Sequence, residues 1–513
     1  MAGTVTPDLT EISLCEATTG WAAVGGNLAV TDNTIFGPAQ GNYNLQNVLN
    51  SLGNRGADYT WSIDTNLTNV TLYAWFAFSN KAILQNKGST GLRIRITDVS
   101  GYWGEWDIAG KDTLPHAGWI CHAVRTSVAY SRTGGTTPVL TQIRKVGWRA
   151  DSVTAKGTIY FDAWRYGQGL TVVGGTSGDP ATFQTFVDAE ETQDNRWGVV
   201  AKYEGVYYAQ GVLNIGKTDQ SATTYFKDTN KIVVFKDAMV GTGFYAINVY
   251  GAGSYATTFY LGTKSGSSGI SGCILNAAGT AKYAITATNS NVTVVGLYGC
   301  TFLNAGTVTL PAYAANKETL NSNFIACAEV QPNTGVVEFC NFISAAANAV
   351  LVVPSHRIKN CYFIGNVNAT RINTAGDYTF DNLKFDSNTY DVNNTSGGTV
   401  NVGKSNGSNP ATYTGSVVNF TGSINLEMVV KDEGGNVVVG AYAYIDNNDQ
   451  APFLLNTITG SDGKASTGYT GSPVTGARWR VRKYGYRNYK MLLDIGSSNI
   501  SLPVTLAVDP QQT

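Results

Sequence analysis

Three groups of side chains in this chain have the types and spacing that chemistry requires. The first is Glu338, Lys359 and Asp381, each two positions before a recurring anchor at 340, 361 and 383. Two carboxylates at a defined separation can cleave a glycosidic bond, and a base beside a charge-neutralising cation can abstract a proton. A lysine falls between the two acids here, so the plainer reading is an exposed charge ladder, each pair worth under about 1 kcal/mol. The second group is His116, Cys121 and His122. Zinc takes four convergent ligands, or three and a water; no fourth partner has suitable spacing, so packing is expected and no metal. The third is Trp103 and Trp106, which flank a Gly-Glu pair. Aromatic faces stack on sugar rings, so these two are the candidate carbohydrate contacts, against the alternative of core filling. His356 reads as an isolated loop residue. The chain offers no nucleophile triad and no Gly-x-x-x-x-Gly-Lys-Ser/Thr phosphate loop, so neither a catalytic set nor a cofactor is expected.

The elements that position these residues are legible from a repeat. Six segments share one frame: Ser-Gly-Cys273-Ile-Leu275, Tyr-Gly-Cys300-Thr-Phe302, Leu-Asn-Ser322-Asn-Phe324, Glu-Phe-Cys340-Asn-Phe342, Lys-Asn-Cys361-Tyr-Phe363 and Asp-Asn-Leu383-Lys-Phe385. The anchors are 27, 22, 18, 21 and 22 residues apart, irregular but bounded. Such a repeat predicts a solenoid whose rungs cannot bury an apolar side alone and must stack. In a strand, positions i and i+2 face the same way, so Cys273, Cys300, Cys340 and Cys361 should form one inward file. Phe302, Phe324, Phe342, Phe363 and Phe385 should form another beside it. Asn360 and Asn382, one position before the anchors, should start an asparagine ladder that satisfies turn backbones.

The repeat resembles the right-handed parallel β-helix of the pectin-lyase-like superfamily, most clearly over 265–400. Ile232-Val-Val-Phe and Thr257-Thr-Phe-Tyr-Leu read as earlier rungs, which places the helix at 175–400. Many such proteins cleave acidic polysaccharides, yet only seven acidic residues fall between 270 and 400.

The flanks differ in texture. Eight of the ten tryptophans lie in 1–167 (Trp21, Trp61, Trp75, Trp103, Trp106, Trp119, Trp148 and Trp164), and Leu92-Arg-Ile-Arg-Ile96 alternates strictly, as half-buried strands do. Gly157-Thr-Ile-Tyr-Phe-Asp162-Ala-Trp and the opening Glu16…Gly20-Trp21…Gly25 resemble the closing and first strands of carbohydrate-binding jelly rolls. Residues 168–180 and 396–415, rich in Gly, Ser, Asn and Thr, read as linkers. After the second comes Leu426-Glu-Met-Val-Val-Lys-Asp432-Glu-Gly-Gly435, then Asp462-Gly463 and Tyr-Gly485-Tyr486. This series is similar to the small sandwich called the carboxypeptidase regulatory-like domain, placed at 416–513. In that family the module is an accessory spacer or adhesive unit. The expected fold class is therefore all-β: jelly roll, parallel β-helix, small immunoglobulin- or transthyretin-like sandwich.

Composition agrees and narrows the partners. Charged residues make up 14% of 513, well below a typical domain, while Gly (58) and Tyr (28) are abundant, a mix that favours strands and tight turns. Thirty-five basic against 36 acidic residues leave no cationic field for nucleic acid. The opening residues carry no apolar leader and no run is long enough to span a bilayer, so no membrane partner is expected. Seven cysteines, an odd count, fit small buried thiols made in a reducing cytosol. The module order resembles that of phage virion proteins such as tail fibres, tailspikes, head fibres and capsid decorations. That resemblance implies a non-enzymatic surface role on a virion made in the host cytoplasm. It also implies contacts with other virion proteins, binding of host-surface polysaccharide, and a homo-oligomer, trimers being common, although no heptad repeat supports one. The alternatives are a polysaccharide-degrading tailspike using Glu338, Lys359 and Asp381, and a bacterial surface adhesin.

Overall fold

The computed structural model describes residues 3–32, 35–49, 52–153, 157–191, 196–217, 219, 222–236, 246–251, 254–264, 272–278, 282–287, 291–309, 317–332, 335–354, 357–422, 424–447, 450–469, 474–496 and 499–509. Strands dominate, as the composition demands. The chain divides into two compact units, Met1–Val295 with Asn304–Gly306, and Gly296–Leu303 with Thr307–Thr513. Each is taken by itself.

The first unit begins with a sandwich of two antiparallel sheets. One contains Asn27–Thr31, Asn44–Leu49, Gly157–Val173, Thr71–Phe78 and Ile120–Arg125. The other runs Arg132–Gly134, Trp103–Ala109, Leu92–Asp98, Ile143–Ser152, Gly53–Thr65 and Trp21–Val24. Period-two alternation explains why: Leu92, Ile94 and Ile96 are fully buried, whereas Arg93 and Arg95 point the other way onto Glu105. Between the sheets Trp21, Phe76, Trp148, Phe161 and Trp164 pack edge to face, Trp21 and Trp148 lying 4.9 and 5.5 Å from Phe161. Each such ring removes a large apolar area from water, worth roughly 1.5–3 kcal/mol. Behind this core the buried Asp162 carboxylate accepts N–H bonds from Ala39, Gln40 and Ala163.

The expected linker at 168–180 is not one over its first half. Gly157–Val173 is a single strand whose start closes the sandwich and whose end, Gly169–Val172, pairs in parallel with Val212–Ile215. Gly169 permits this pairing, because a Cβ there would sit 1.9 Å from the Val212 carbonyl oxygen. From this point the chain coils. Val206–Ala209 pairs in parallel with Ile232–Phe235, and that with Ile274–Ala277. Val212–Ile215 pairs with Ile247–Val249, and that with Tyr283–Thr286. Thr224–Asp228 pairs with Thr257–Leu261. A helix not expected from composition, Phe183–Glu191, covers the first coil with Phe183 and Phe186 against Phe226. Its buried positions 183, 186, 187 and 190 follow helical spacing.

In the second unit the coils are more regular. Asn323–Ile325, Asn341–Ile343, Tyr362–Ile364 and Lys384–Asp386 form one parallel sheet with Thr301–Leu303. Val336–Glu338, Arg357–Lys359, Gly376–Asp381, Val400–Ser405 and Val418–Gly422 form another. A third joins Asn348–Val352, Asn368–Ile372, Tyr390–Asn394 and Tyr413–Gly415. The expected linker at 396–415 is therefore a further rung: its Gly, Ser and Asn supply corners, and its Val residues the interior. Phe302, Phe324, Phe342, Phe363 and Phe385 stack face to face at 4.9, 5.1, 5.0 and 5.0 Å, with planes within 9°. Cys300, Cys340 and Cys361 are buried beside them, with Ser322 and Leu383 at the same rung position. Cys273 lies buried in the first unit, and none of the seven cysteines is in a disulfide.

The residue before each of the last four anchors adopts a left-handed backbone: Asn321, Phe339, Asn360 and Asn382 have φ of 50°, 55°, 53° and 49°. Asparagine tolerates that region better than other residues with a Cβ, which accounts for its recurrence there. Asn382 donates to Asn360 at 2.7 Å and Asn360 to Glu338 at 3.0 Å, so the side chains also form a ladder.

The unit ends in a second sandwich. Lys464–Tyr469, Ile424–Asp432 and Ile500–Leu506 face Gln450–Ile458, Tyr442–Asn447, Val474–Arg482 and Tyr489–Ile495 across a core around Trp479.

Candidate functional site

Within the first unit, the strands Thr71–Phe78 and Ile120–Arg125 pair with Trp75 opposite Cys121. Leu72, Ala74, Phe76 and Phe78 enter the sandwich core, so Tyr73 and Trp75 must emerge on the sheet's outer face. That face is covered by the first coil. Trp75 donates its indole N–H to the Arg196 carbonyl at 2.9 Å, and Gln210 donates to the carbonyls of Cys121 and Gly198 at 3.2 and 2.6 Å. Gly198, at φ 81°, makes this approach possible, since a Cβ would fall 2.1 Å from the Cys121 sulfur.

The cover is incomplete. A depression of about 410 Å³ remains, walled by Trp75, Trp119, Tyr203 and Tyr208, with His116, Gln210 and Lys236 as its polar groups. Trp119 is anchored by its indole N–H on the Gly37 carbonyl at 2.7 Å, and the Lys236 ammonium lies 5.7 Å from the Tyr208 ring centre. Tyr203 is 66% exposed. Rings fixed at their polar edges with a face open to solvent, beside a few hydrogen-bonding groups, suit a ligand with apolar faces and a polar rim. Glu190 closes one wall; burial pushes its carboxyl up to about 7, partly offset by N–H bonds from Gly198, Val199 and Val200.

A second depression of about 530 Å³ shares Pro115, Ile120, Cys121, Gln210 and Lys236 in its walls and adds Trp106, His122, Arg125, Lys87 and Asp107. Burial, with Lys236 and Lys87 nearby, pushes the His122 imidazole down to about 3, so it is neutral. Its Nε2 is buried without a hydrogen-bond partner.

The residues singled out in the sequence fall in three places. Trp106 is 3% exposed, packs against Tyr130 and donates to the Val128 carbonyl at 2.9 Å; it belongs both to the core and to the wall of the second depression. Trp103, three positions earlier on the same strand, points the opposite way, as strand alternation requires. The Arg95 guanidinium lies over its ring at 3.9 Å, and Gly134 abuts the ring so closely that a Cβ would be 2.0 Å away. The two tryptophans therefore do not share a face. Cys121 and His122 are neighbours on one strand and alternate in direction, which prevents convergence on a metal; His116 and Cys121 both line the aromatic depression, without His122. Among the described residues no group of three His, Cys, Asp or Glu could hold a metal ion. His356 lies outside the described residues.

Glu338, Lys359 and Asp381 are register partners on one parallel sheet. Lys359 pairs with Glu338 at 3.2 Å, and Asp381 accepts from Asn406. The acids are thus taken up by side chains of neighbouring rungs. Sequence reasoning missed Trp75, Trp119, Tyr203, Tyr208 and Lys236 as a group. The one available signal was Thr71–Phe78, apolar on both faces, which marks a strand whose outer side is also covered.

No protein-family model matches the chain, and no curated protein matches it. Among solved structures the N-terminal part is similar to carbohydrate-binding modules. A family 11 module from Clostridium thermocellum, in complex with a mixed-linked tetrasaccharide, is 8% identical, with 32% of this chain and 96% of that one covered at a TM-score of 0.23. A xylan-binding module, CBM15, is 18% identical over 32% of this chain and 97% of its own, at 0.22. The CBM22-1 xylan-binding domain of Paenibacillus barcinonensis is 14% identical over 34% and 98%, at 0.20. At such scores the account of the site rests on the groove itself.

Proposed function

We propose that this chain is a non-enzymatic structural and adhesive protein on the surface of a bacteriophage virion, as a tail fibre, head fibre or capsid decoration. In this reading the two adjoining depressions of its N-terminal module hold host-surface glycans. The observation that carries the adhesive half is the set of rings Trp75, Trp119, Tyr203 and Tyr208 around one open depression of about 410 Å³. The scaffold half reads the coiled region as a right-handed parallel β-helix and the C-terminal sandwich as a carboxypeptidase regulatory-like module. Its support is the recurring parallel strand pairing and, in the second unit, the five-ring stack, in which each rung needs only its neighbours. Buried cysteines outside any disulfide suit assembly in a reducing cytoplasm. Other virion proteins and further copies of this chain, a trimer among the options, are the partners this role requires.

Two experiments test the halves separately. Trp119→Ala should weaken binding of a glycan selected on an array at least tenfold, about 1.4 kcal/mol, while the melting temperature stays unchanged. Wild-type affinity in the variant would exclude the groove. Mass spectrometry of purified particles should find this chain; particles that lack it would remove the virion assignment.

A further inference from the structure

The second depression differs from the first in its charge. Lys87, Arg125 and Lys236 line it, and Asp107 is the one acid in its wall. Asp107 is already engaged, because Arg132 binds its carboxylate at 2.5 Å. Lys87 and Lys236 therefore face a space whose one wall carboxylate, among the described residues, is taken up by Arg132. The electrostatic sign is felt inside: Lys236 and Lys87 both act on the His122 ring. At the same place the His122 Nε2 is buried and unpartnered. A buried polar atom left unsatisfied costs roughly 1–3 kcal/mol, and a neutral imidazole can supply an N–H there. The positive charge of Lys87 and Lys236 and the buried His122 Nε2 converge on one volume, about 530 Å³, which accommodates a sugar residue. It adjoins the aromatic depression through Ile120, Gln210 and Lys236.

We infer that the groove selects acidic glycans: a sugar ring lies against the aromatic wall while the carboxylate of a neighbouring residue, a hexuronate or sialate, enters the second depression between Lys87, Lys236 and the His122 Nε2. Arg125 adds to the field from the strand that carries His122. Lys236 serves both halves, since it borders each depression. This inference rests on the glycan-binding reading and goes beyond it by fixing the ligand's charge.

The test is calorimetric titration of the full chain with tetrasaccharides of galacturonate, guluronate and sialate, each beside its methyl ester, and with neutral xylotetraose. At least one acidic tetrasaccharide should bind tenfold or more tighter than its ester, with an affinity that falls as salt rises. Lys87→Ala and Lys236→Ala should each weaken that acid fivefold or more. Lys87→Ala should weaken the acid by a larger factor than it weakens the ester, because Lys87 borders only the charged half. If acids and esters bind alike, or only the neutral sugar binds, the carboxylate assignment is overturned and the glycan groove stands. If no oligosaccharide binds, the glycan reading falls and this inference with it.

Discussion

The ring stack of the second unit and the aromatic groove of the first use the same residue type to opposite ends. In the stack, Phe324, Phe342 and Phe363 each have a ring about 5 Å away on both faces. No face is left for anything but the next rung. In the groove, Trp75 and Trp119 are tied down by their indole N–H groups to carbonyls at 2.9 and 2.7 Å, and they line an open volume. Repetition satisfies aromatic surface and makes scaffold; single anchoring holds it unsatisfied and makes a binding surface. The comparison also explains why burial alone does not find the site. Trp148 is as aromatic as Trp119, but it is spent inside the sandwich.

The largest effect that would break this contrast is expected in the stack. Phe342→Ala removes a ring sandwiched between two others and should destabilise the second unit by roughly 3–5 kcal/mol in denaturant unfolding. Glycan affinity measured below the transition should not change. A cost below about 1 kcal/mol would mean that the rungs stand without the stack.

Next comes pH, which should act on the first unit. Burial raises both Asp162 and Glu190 to about 7 from ordinary values near 4. An acid whose folded pKa is raised binds its proton more tightly folded than unfolded. Stability therefore falls as pH rises from about 4 to about 7, and it stays lowered above that. Acidifying from pH 8 to pH 5.5 should stabilise the first unit by on the order of 1–3 kcal/mol per group. Glu190→Gln should remove its share of the slope. A profile flat across that range would contradict the burial argument.

A smaller effect sharpens the account of the rung corners. Phe339 sits at φ 55° where its counterparts are Asn321, Asn360 and Asn382, and it is 53% exposed. Phe339→Asn should stabilise by about 1 kcal/mol by relieving a left-handed bulky residue. Destabilisation would show that the ring contributes packing that outweighs the strain. The smallest effect belongs to the ladder: Lys359→Ala should cost under about 1 kcal/mol, because its pair with Glu338 is half exposed. A larger loss, or a polysaccharide-cleaving activity abolished by Glu338→Gln, would return the ladder to the list of functional sites.

Much of the architecture was legible in the chain. The Cys-x-Phe frame carries its own geometry, since residues two apart share a face and like residues stack in register. Glycine- and asparagine-rich stretches were less readable. The same composition that makes a linker also makes the corners of Val400–Ser405 and Tyr413–Gly415, and nothing local separates the two uses. The helix Phe183–Glu191 did carry a periodic signal, masked by a composition that disfavours helices overall. The groove was illegible for a different reason. Trp75, Trp119, Tyr203, Tyr208 and Lys236 come from separate strands and loops that only tertiary structure brings together. Trp103 and Trp106, though near in sequence, do not act as one platform, because three steps along a strand reverse the direction of a side chain.

The claim at the centre of this account is that the open rings of the first unit, and no other aromatic surface, receive the ligand. A crystal structure of the chain soaked with an array-selected oligosaccharide tests it most directly. The account predicts a sugar ring lying along Trp119 or Tyr203, with its neighbour toward Lys236. Density seated instead on Trp103, or along the coils beside Glu338 and Asp381, with the groove empty, would contradict it.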